Sequence, residues 1–218
     1  MMTSRQLVLG LVGGALFGMV PPALAQDATP EVLQEGEELF VDNCEACHQA
    51  DAIGQPGIAP SLTNPEFLSI SSDSFLLGTI RDGREDTGMP PFSHIGRSGA
   101  QAIVAYLRSH SEFPNRAAEV DAQPEAHGDP RLGEQWYHNI CSTCHGADAE
   151  GYDAGGAGTA IGLPGFLTKV SDGFIRETIK KGRSNTRMLA FQGPDGLANL
   201  SDQEIDDIIV YLRSLPAN

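Results

Sequence analysis

Two five-residue runs carry the chemistry of this chain, Cys44-Glu45-Ala46-Cys47-His48 and Cys141-Ser142-Thr143-Cys144-His145. On a helix, the thiols of a Cys-x-x-Cys-His run stand about one turn apart. Both can form thioethers to the vinyl groups of one haem while the next imidazole is offered to the iron. The alternatives for a Cys-x-x-Cys pair are a zinc knuckle and a redox dithiol. A zinc ribbon places its second pair roughly 15–20 residues on, whereas 94 positions separate Cys47 from Cys141. A thioredoxin-like dithiol needs a βαβ setting that neither run has. The trailing histidine at both runs decides for haem attachment, one covalent haem c per run. The chain encodes four cysteines, all inside these runs, so no disulfide is expected.

Each run supplies one axial ligand, His48 or His145, and the other side of each iron needs a second. Five methionines are encoded, three of them at positions 1, 2 and 19; the remaining two, Met89 and Met188, follow His48 and His145 by 41 and 43 residues. A lone methionine more often fills a core, but Gly88-Met89-Pro90-Pro91 is a stiff loop that would hold a thioether still. The rival imidazoles are His94 and His110 in the first half and His127 and His138 in or near the second; His94, five residues past Met89, is the strongest. An iron held by both His and Met has no vacant position, which suits electron transfer rather than substrate chemistry.

The elements that must hold these residues come in two copies. Gly36 and Phe40 precede the first run as Gly133 and Tyr137 precede the second, at an offset of 97. The stretch from Phe67-Leu68 to Phe92 matches Phe166-Leu167 to Phe191 at an offset of 99, carrying Phe75/Phe174, Gly83/Gly182, Arg84/Arg183, Thr87/Thr186 and Met89/Met188. Tyr106-Leu107-Arg108-Ser109 matches Tyr211-Leu212-Arg213-Ser214 at an offset of 105. Such self-similarity indicates two domains, placed at residues 31–110 and 131–218. Residues 111–130, with Pro114, Pro124 and Pro130 and no apolar period, read as a linker.

Helices are expected from about Pro30 and Pro130 through the two runs, and over Ser72 to Gly83 and Ser171 to Gly182 with the glycines as C-caps. The last helix should open on the capping box Ser201-Asp202-Gln203-Glu204 and bury Ile205, Ile208, Ile209 and Leu212; Ser98 and Gln101 offer a similar box in the first half. No stretch alternates like a strand, so the fold class is all-α. Long loops at 49–64 and 146–164 would wrap the haems. The Gly155–Gly158 tract reads as a surface excursion.

Residues 1–25 have the form of a cleavable secretory signal: Arg5, an apolar run of 14 residues from Leu7 to Val20, then Ala23-Leu24-Ala25. The alternative is an uncleaved anchor, for which the run is short of the roughly 20 residues a span requires. No span is expected in the mature chain, and a bacterial periplasm is the expected compartment. The formal charge of the whole chain is −15. Residues 31–110 hold 12 acidic and 4 basic side chains, whereas 131–218 hold 11 and 8. Such a balance argues against nucleic acid and anionic membrane as partners. The basic set Arg176, Lys180, Lys181, Arg183 and Arg187 raises the expectation that the two domains dock partners of opposite polarity, against the plainer alternative of solvated helix faces plus a haem-propionate contact from Arg84 and Arg183.

The two runs and the Gly-Arg-x-x-Thr-x-Met-x-x-Phe stretches at 83–92 and 182–191 resemble class I c-type cytochromes in tandem. They are similar to the dihaem cytochrome c-four group and to dihaem subunits of periplasmic dehydrogenases. The resemblance implies a helix crossing in which Gly36 and Phe40 meet Tyr106, and Gly133 and Tyr137 meet Tyr211. It also implies a proline carbonyl for the proximal imidazole N–H; Pro60 matches, but Thr159 stands at the aligned position in the second half. Three functions stay open. One is a periplasmic carrier serving a terminal oxidase or reductase of a respiratory chain. Another is the electron-accepting subunit of a dehydrogenase complex, and the last is a dihaem peroxidase or haem sensor. In the first two the chain is no enzyme by itself and its partners are redox proteins.

Overall fold

The computed structural model describes residues 28–216, so the expected signal at 1–25 lies outside the described residues. Eleven α-helices follow in order: α1 (Pro30–Asn43), α2 (Glu45–His48), α3 (Pro65–Ile70), α4 (Asp73–Asp82), α5 (Gly96–Ser109), α6 (Ala117–Asp121), α7 (Pro130–Trp136), α8 (Ser142–His145), α9 (Pro164–Leu167), α10 (Asp172–Lys181) and α11 (Asp202–Ser214). Among the described residues the only β pairing is an isolated bridge between Gln55 and Ala59. No described helix is long and apolar enough to cross a membrane.

The two halves repeat one design. α1 crosses α5, and α7 crosses α11, at a glycine in each case. A Cβ on Gly36 would fall on the Ala102 carbonyl and one on Gly133 on the Asp207 carbonyl, so only glycine lets the backbones approach. Beside each crossing an aromatic pair fills the gap, Phe40 with Tyr106 at 5.7 Å and Tyr137 with Tyr211 at 5.4 Å between ring centroids. Ile205, Ile208, Ile209 and Leu212 form the buried stripe of α11. The Ser201–Glu204 capping box is complete, and Ser72 and Ser171 cap α4 and α10 through Phe75 N–H and Phe174 N–H.

One expectation needs correction. The Ser98–Gln101 box does not form: a 3₁₀ turn (Ser93–Ile95) runs into α5 at Gly96, and Ser98 lies inside the helix. The segment 111–130 packs against both halves. Its start pairs with α3, through Ser69 Oγ–H to Pro114 O (2.8 Å) and Arg116 N–H to Ser69 O (2.7 Å). Its end ties to the second half, through Ala126 N–H to Asp172 (2.8 Å) and Asp129 N–H to Asp207 (2.8 Å). Between them α6 buries Val120 completely. Two apolar residues, Ala117 and Val120, suffice to anchor a strap too short to show a period.

The halves pack on each other through aromatic rings. Phe75 and Phe174, equivalent in the repeat, face each other at 5.4 Å. Phe75 to Phe166 and Phe67 to Phe174 are both 6.4 Å. A contact between one position and its partner's equivalent, matched by the reverse contact, marks an approximate internal two-fold axis, and it passes beside Phe75 and Phe174. The arginines obey the same symmetry: Arg84 lies 4.9 Å from the Phe166 ring centroid, and Arg183 lies 4.9 Å from that of Phe67.

Candidate haem sites

In the first half α1 ends at Asn43 and is capped by Cys44, whose N–H reaches Phe40 O at 2.7 Å, and α2 carries Cys47 and His48. His48 is 7% exposed. Its Nδ1 lies 2.9 Å from Pro60 O; a carbonyl only accepts, so Nδ1 carries the hydrogen and Nε2 keeps the lone pair. Burial lowers the His48 pKa, opposed by the bond to Pro60, which keeps the imidazole in the neutral form a metal requires. In the second half, α7 runs through a π-helical turn (Tyr137–Cys141) into α8. His145 Nδ1 lies 2.7 Å from Thr159 O, and burial again lowers its pKa. The missing proline therefore does not remove the carbonyl partner.

No described cysteine is in a disulfide. Cys44 and Cys141 pack against the core, and burial raises their thiol pKa values to about 11 and about 12. Cys47 is exposed and Cys144 half-buried. In both pairs the first cysteine packs against the core and the second stands about one turn further along the chain.

Met89 and Met188 sit in matching backbone knots. Thr87 Oγ–H donates to Arg84 O (2.7 Å) and accepts from Met89 N–H (3.2 Å), while Arg84 N–H closes on Met89 O (2.9 Å). Thr186 Oγ–H to Arg183 O (2.8 Å), Met188 N–H to Thr186 (3.0 Å) and Arg183 N–H to Met188 O (2.7 Å) repeat it. Gly83 and Gly182, at φ +68° and +65°, let α4 and α10 turn into these knots. The knot, rather than Pro90 and Pro91, is what both halves share, so Met188 is held although Arg187 and Leu189 flank it.

The rival imidazoles are exposed. His94 is exposed with Nε2 3.2 Å from Asn43 Oδ1, and His110 is exposed on Tyr106 O at 2.9 Å. His127 and His138 are also exposed. The Gly155–Gly158 tract is a surface excursion only at its start: Gly155 is exposed in open space, whereas the end of the tract packs against the site. Gly158 N–H donates to Cys144 O at 2.7 Å, and a Cβ there would lie 2.7 Å from the His145 ring. The basic set is largely spent within the fold: Arg176 pairs with Asp206 and Lys180 with Asp202, both at 2.8 Å, and Arg183 is stacked. Only Lys181 and Arg187 of that set are exposed, which leaves little of the expected cationic docking face.

The residues fit a haem in each half. Neutral, Nδ1-anchored imidazoles follow paired thiols, thioethers sit in fixed loops, and Thr79 Oγ and Arg183 Nε are buried without partners among the described residues. A macrocycle bearing carboxylates would satisfy such an arginine.

Residues 31–107 match the family model described as cytochrome c oxidase, cbb3-type, subunit III, and residues 131–216 match that described as cytochrome c. The cbb3-type cytochrome c oxidase subunit CcoP of Rubrivivax gelatinosus is 34% identical over 199 residues, covering 88% of this chain and 57% of the relative. The subunit FixP of Bradyrhizobium sp. (strain ORS 278) is 27% identical over 196 residues, covering 83% and 60%. The chain thus spans about three-fifths of the length of these relatives. A solved structure, the Kuenenia stuttgartiensis reducing HAO-like protein complex Kustc0457/Kustc0458, overlays with a TM-score of 0.43 at 20% identity, covering 84% of this chain and 96% of that one. Each half of the sequence being matched separately, the chain belongs to the c-type cytochromes as two tandem cytochrome c domains with two covalently bound haem c groups.

Proposed function

We propose that this dihaem cytochrome passes single electrons between redox proteins. Thioethers from Cys44 and Cys47 would hold one haem and those from Cys141 and Cys144 the other; His48 with Met89, and His145 with Met188, would be the residues offered to the two irons. The bound haems supply the reversible ferric–ferrous couple. The chain's own part is positional: carbonyls at 60 and 159 fix the imidazole tautomers, and the Thr87 and Thr186 knots fix the thioethers. The observation that carries this reading is the repetition of both restraints in both halves. A site meant to open for peroxide or gas would gain nothing from two equally knotted methionines. Residues 1–25 direct the chain to the periplasm.

The relatives' names favour a second reading for its setting, a cytochrome subunit of a respiratory oxidase complex, with a dehydrogenase complex as the other assembly of this kind. Co-purification of further redox subunits in fixed stoichiometry from native membranes or periplasm separates that setting from a free carrier.

Spectroelectrochemistry of the holoprotein, with electron paramagnetic resonance, tests the ligand set. Two low-spin haems indifferent to carbon monoxide are expected. Met89→His and Met188→His should each lower the potential of one haem and spare the other, because exchanging thioether for imidazole favours ferric iron. Carbon monoxide binding by the unaltered protein would sink the closed-shell reading.

A further inference from the structure

The two proximal loops are built differently. In the first half the carbonyl under His48 belongs to Pro60, whose ring fixes φ, and the Gln55–Ala59 bridge lies just before it. In the second, the carbonyl under His145 belongs to Thr159, directly after the Gly155–Gly158 tract. Three glycines and no proline give that loop more conformational freedom to lose. Its own domain holds it through Gly158 N–H to Cys144 O (2.7 Å) and Ile161 N–H to Ala149 O (2.9 Å), and a further bond comes from outside that domain. Arg84 Nη2 donates to Ala160 O at 2.6 Å, one residue beyond the carbonyl that receives His145. The Phe166 ring holds the same guanidinium from another side, and burial lowers its pKa to about 10. Its symmetry partner does not reciprocate. Arg183 stacks on Phe67, but its Nε is buried without a partner, and it makes no hydrogen bond to Ser61, the counterpart of Ala160, among the described residues.

We propose that Arg84 is a positioning residue for the haem of the opposite domain: by holding Ala160 O it keeps Thr159 O under His145 Nδ1, as Pro60 does for His48 within one domain. The inference rests on His145 being an axial ligand. A hydrogen bond donated by the imidazole makes it a stronger donor to iron. Loosening the brace therefore favours ferrous iron and raises the potential of the second haem.

The holoprotein is titrated potentiometrically, and its ferric resonance recorded, for the unaltered chain, Arg84→Lys, and Arg84→Lys combined with Thr159→Pro. Lysine keeps the charge but not the planar fork, so a change reports bracing rather than lost charge. Met89→His marks the first haem and His145→Met the second; if His145→Met leaves both signals unchanged, the ligand reading fails and this inference falls with it. The expected result is an upward shift of the second haem in Arg84→Lys, with altered g values and a smaller change at the first haem, cancelled when Thr159→Pro is added. A second haem that stays put or shifts downward would overturn the proposal. So would a first haem that moves as far, or a double variant that shifts like the single one.

Discussion

The two haem-attachment runs were legible because cysteine is scarce and its spacing rigid: the four cysteines fall in two identical patterns, and the two late methionines proposed as ligands stand out by their matched positions. Glycine was less so, because its role depends on what stands across from it. Gly158 looks like part of a flexible tract, yet a Cβ there would meet His145 Cε1 and Nδ1 at 2.7 Å. Thr87 and Thr186 were visible as a repeated letter, while the knot they tie around each methionine needs the turn geometry. Gly158→Ala should cost about 1–3 kcal/mol, the usual penalty for overpacking, because either the imidazole or the loop must yield. Gly88→Ala, at a position open to at least 4 Å, should stay within about 0.5 kcal/mol as an ordinary surface change. Denaturant unfolding of the two holoprotein variants checks the pair; equal losses would mean that crowding at His145 is not the cause.

At the level of elements, the serine caps and glycine stops were readable at α4, α10 and α11 because they act within one turn of the chain. The start of α5 was not, since Gly96, rather than a polar side chain, sets it. Nor was the task of the arginine near the end of each last helix. Arg108 reaches back to Leu68 O (2.9 Å), Ser71 O (2.7 Å) and Asp73 (2.6 Å). Arg213 clasps Leu167 O, Val170 O and Asp172 in the same way. Each guanidinium thus pins the end of one short helix and the start of the next to the C-terminal helix, restraining the element that leads to the methionine knot. The Arg108 side chain is 6% exposed and that of Arg213 32%, so their loss should differ. Arg108→Met leaves two inward carbonyls unpaired and should cost about 3–5 kcal/mol. Arg213→Met lets water reach the freed groups and should cost about 1–2 kcal/mol. The difference between the two denaturation midpoints is the measurement; a larger loss for Arg213→Met would contradict the burial reading.

Across the whole molecule, the repeat reveals two domains but not that they share a core. Phe67, Phe75, Phe166 and Phe174 recur at helical or loop positions that any small domain would bury for itself. Instead they meet across the internal two-fold axis, Phe174 touching Phe75 and Phe67 at 5.4 and 6.4 Å and Phe166 touching Phe75 at 6.4 Å. A domain of this size buries only a marginal core alone, so the shared cluster and the strap at 111–130 should make the pair unfold as one unit. Phe174→Ala removes the ring at the centre and should cost about 3–5 kcal/mol, separating one calorimetric transition of the holoprotein into two. Acid should act at the same boundary. Asp82 is held well below the usual carboxylate range by Arg81 and by Lys169 of the other half, the latter at 2.6 Å. A depressed pKa means that the contribution is complete above the ordinary carboxylate value and is lost as the pH falls below it. Being exposed, the pair matters only once the rings no longer hold the domains together. In Phe174→Ala the gap between the two transitions should therefore widen below about pH 4, and Asp82→Asn in that background should remove the pH dependence. A single transition in Phe174→Ala at every pH would show that the strap alone couples the domains.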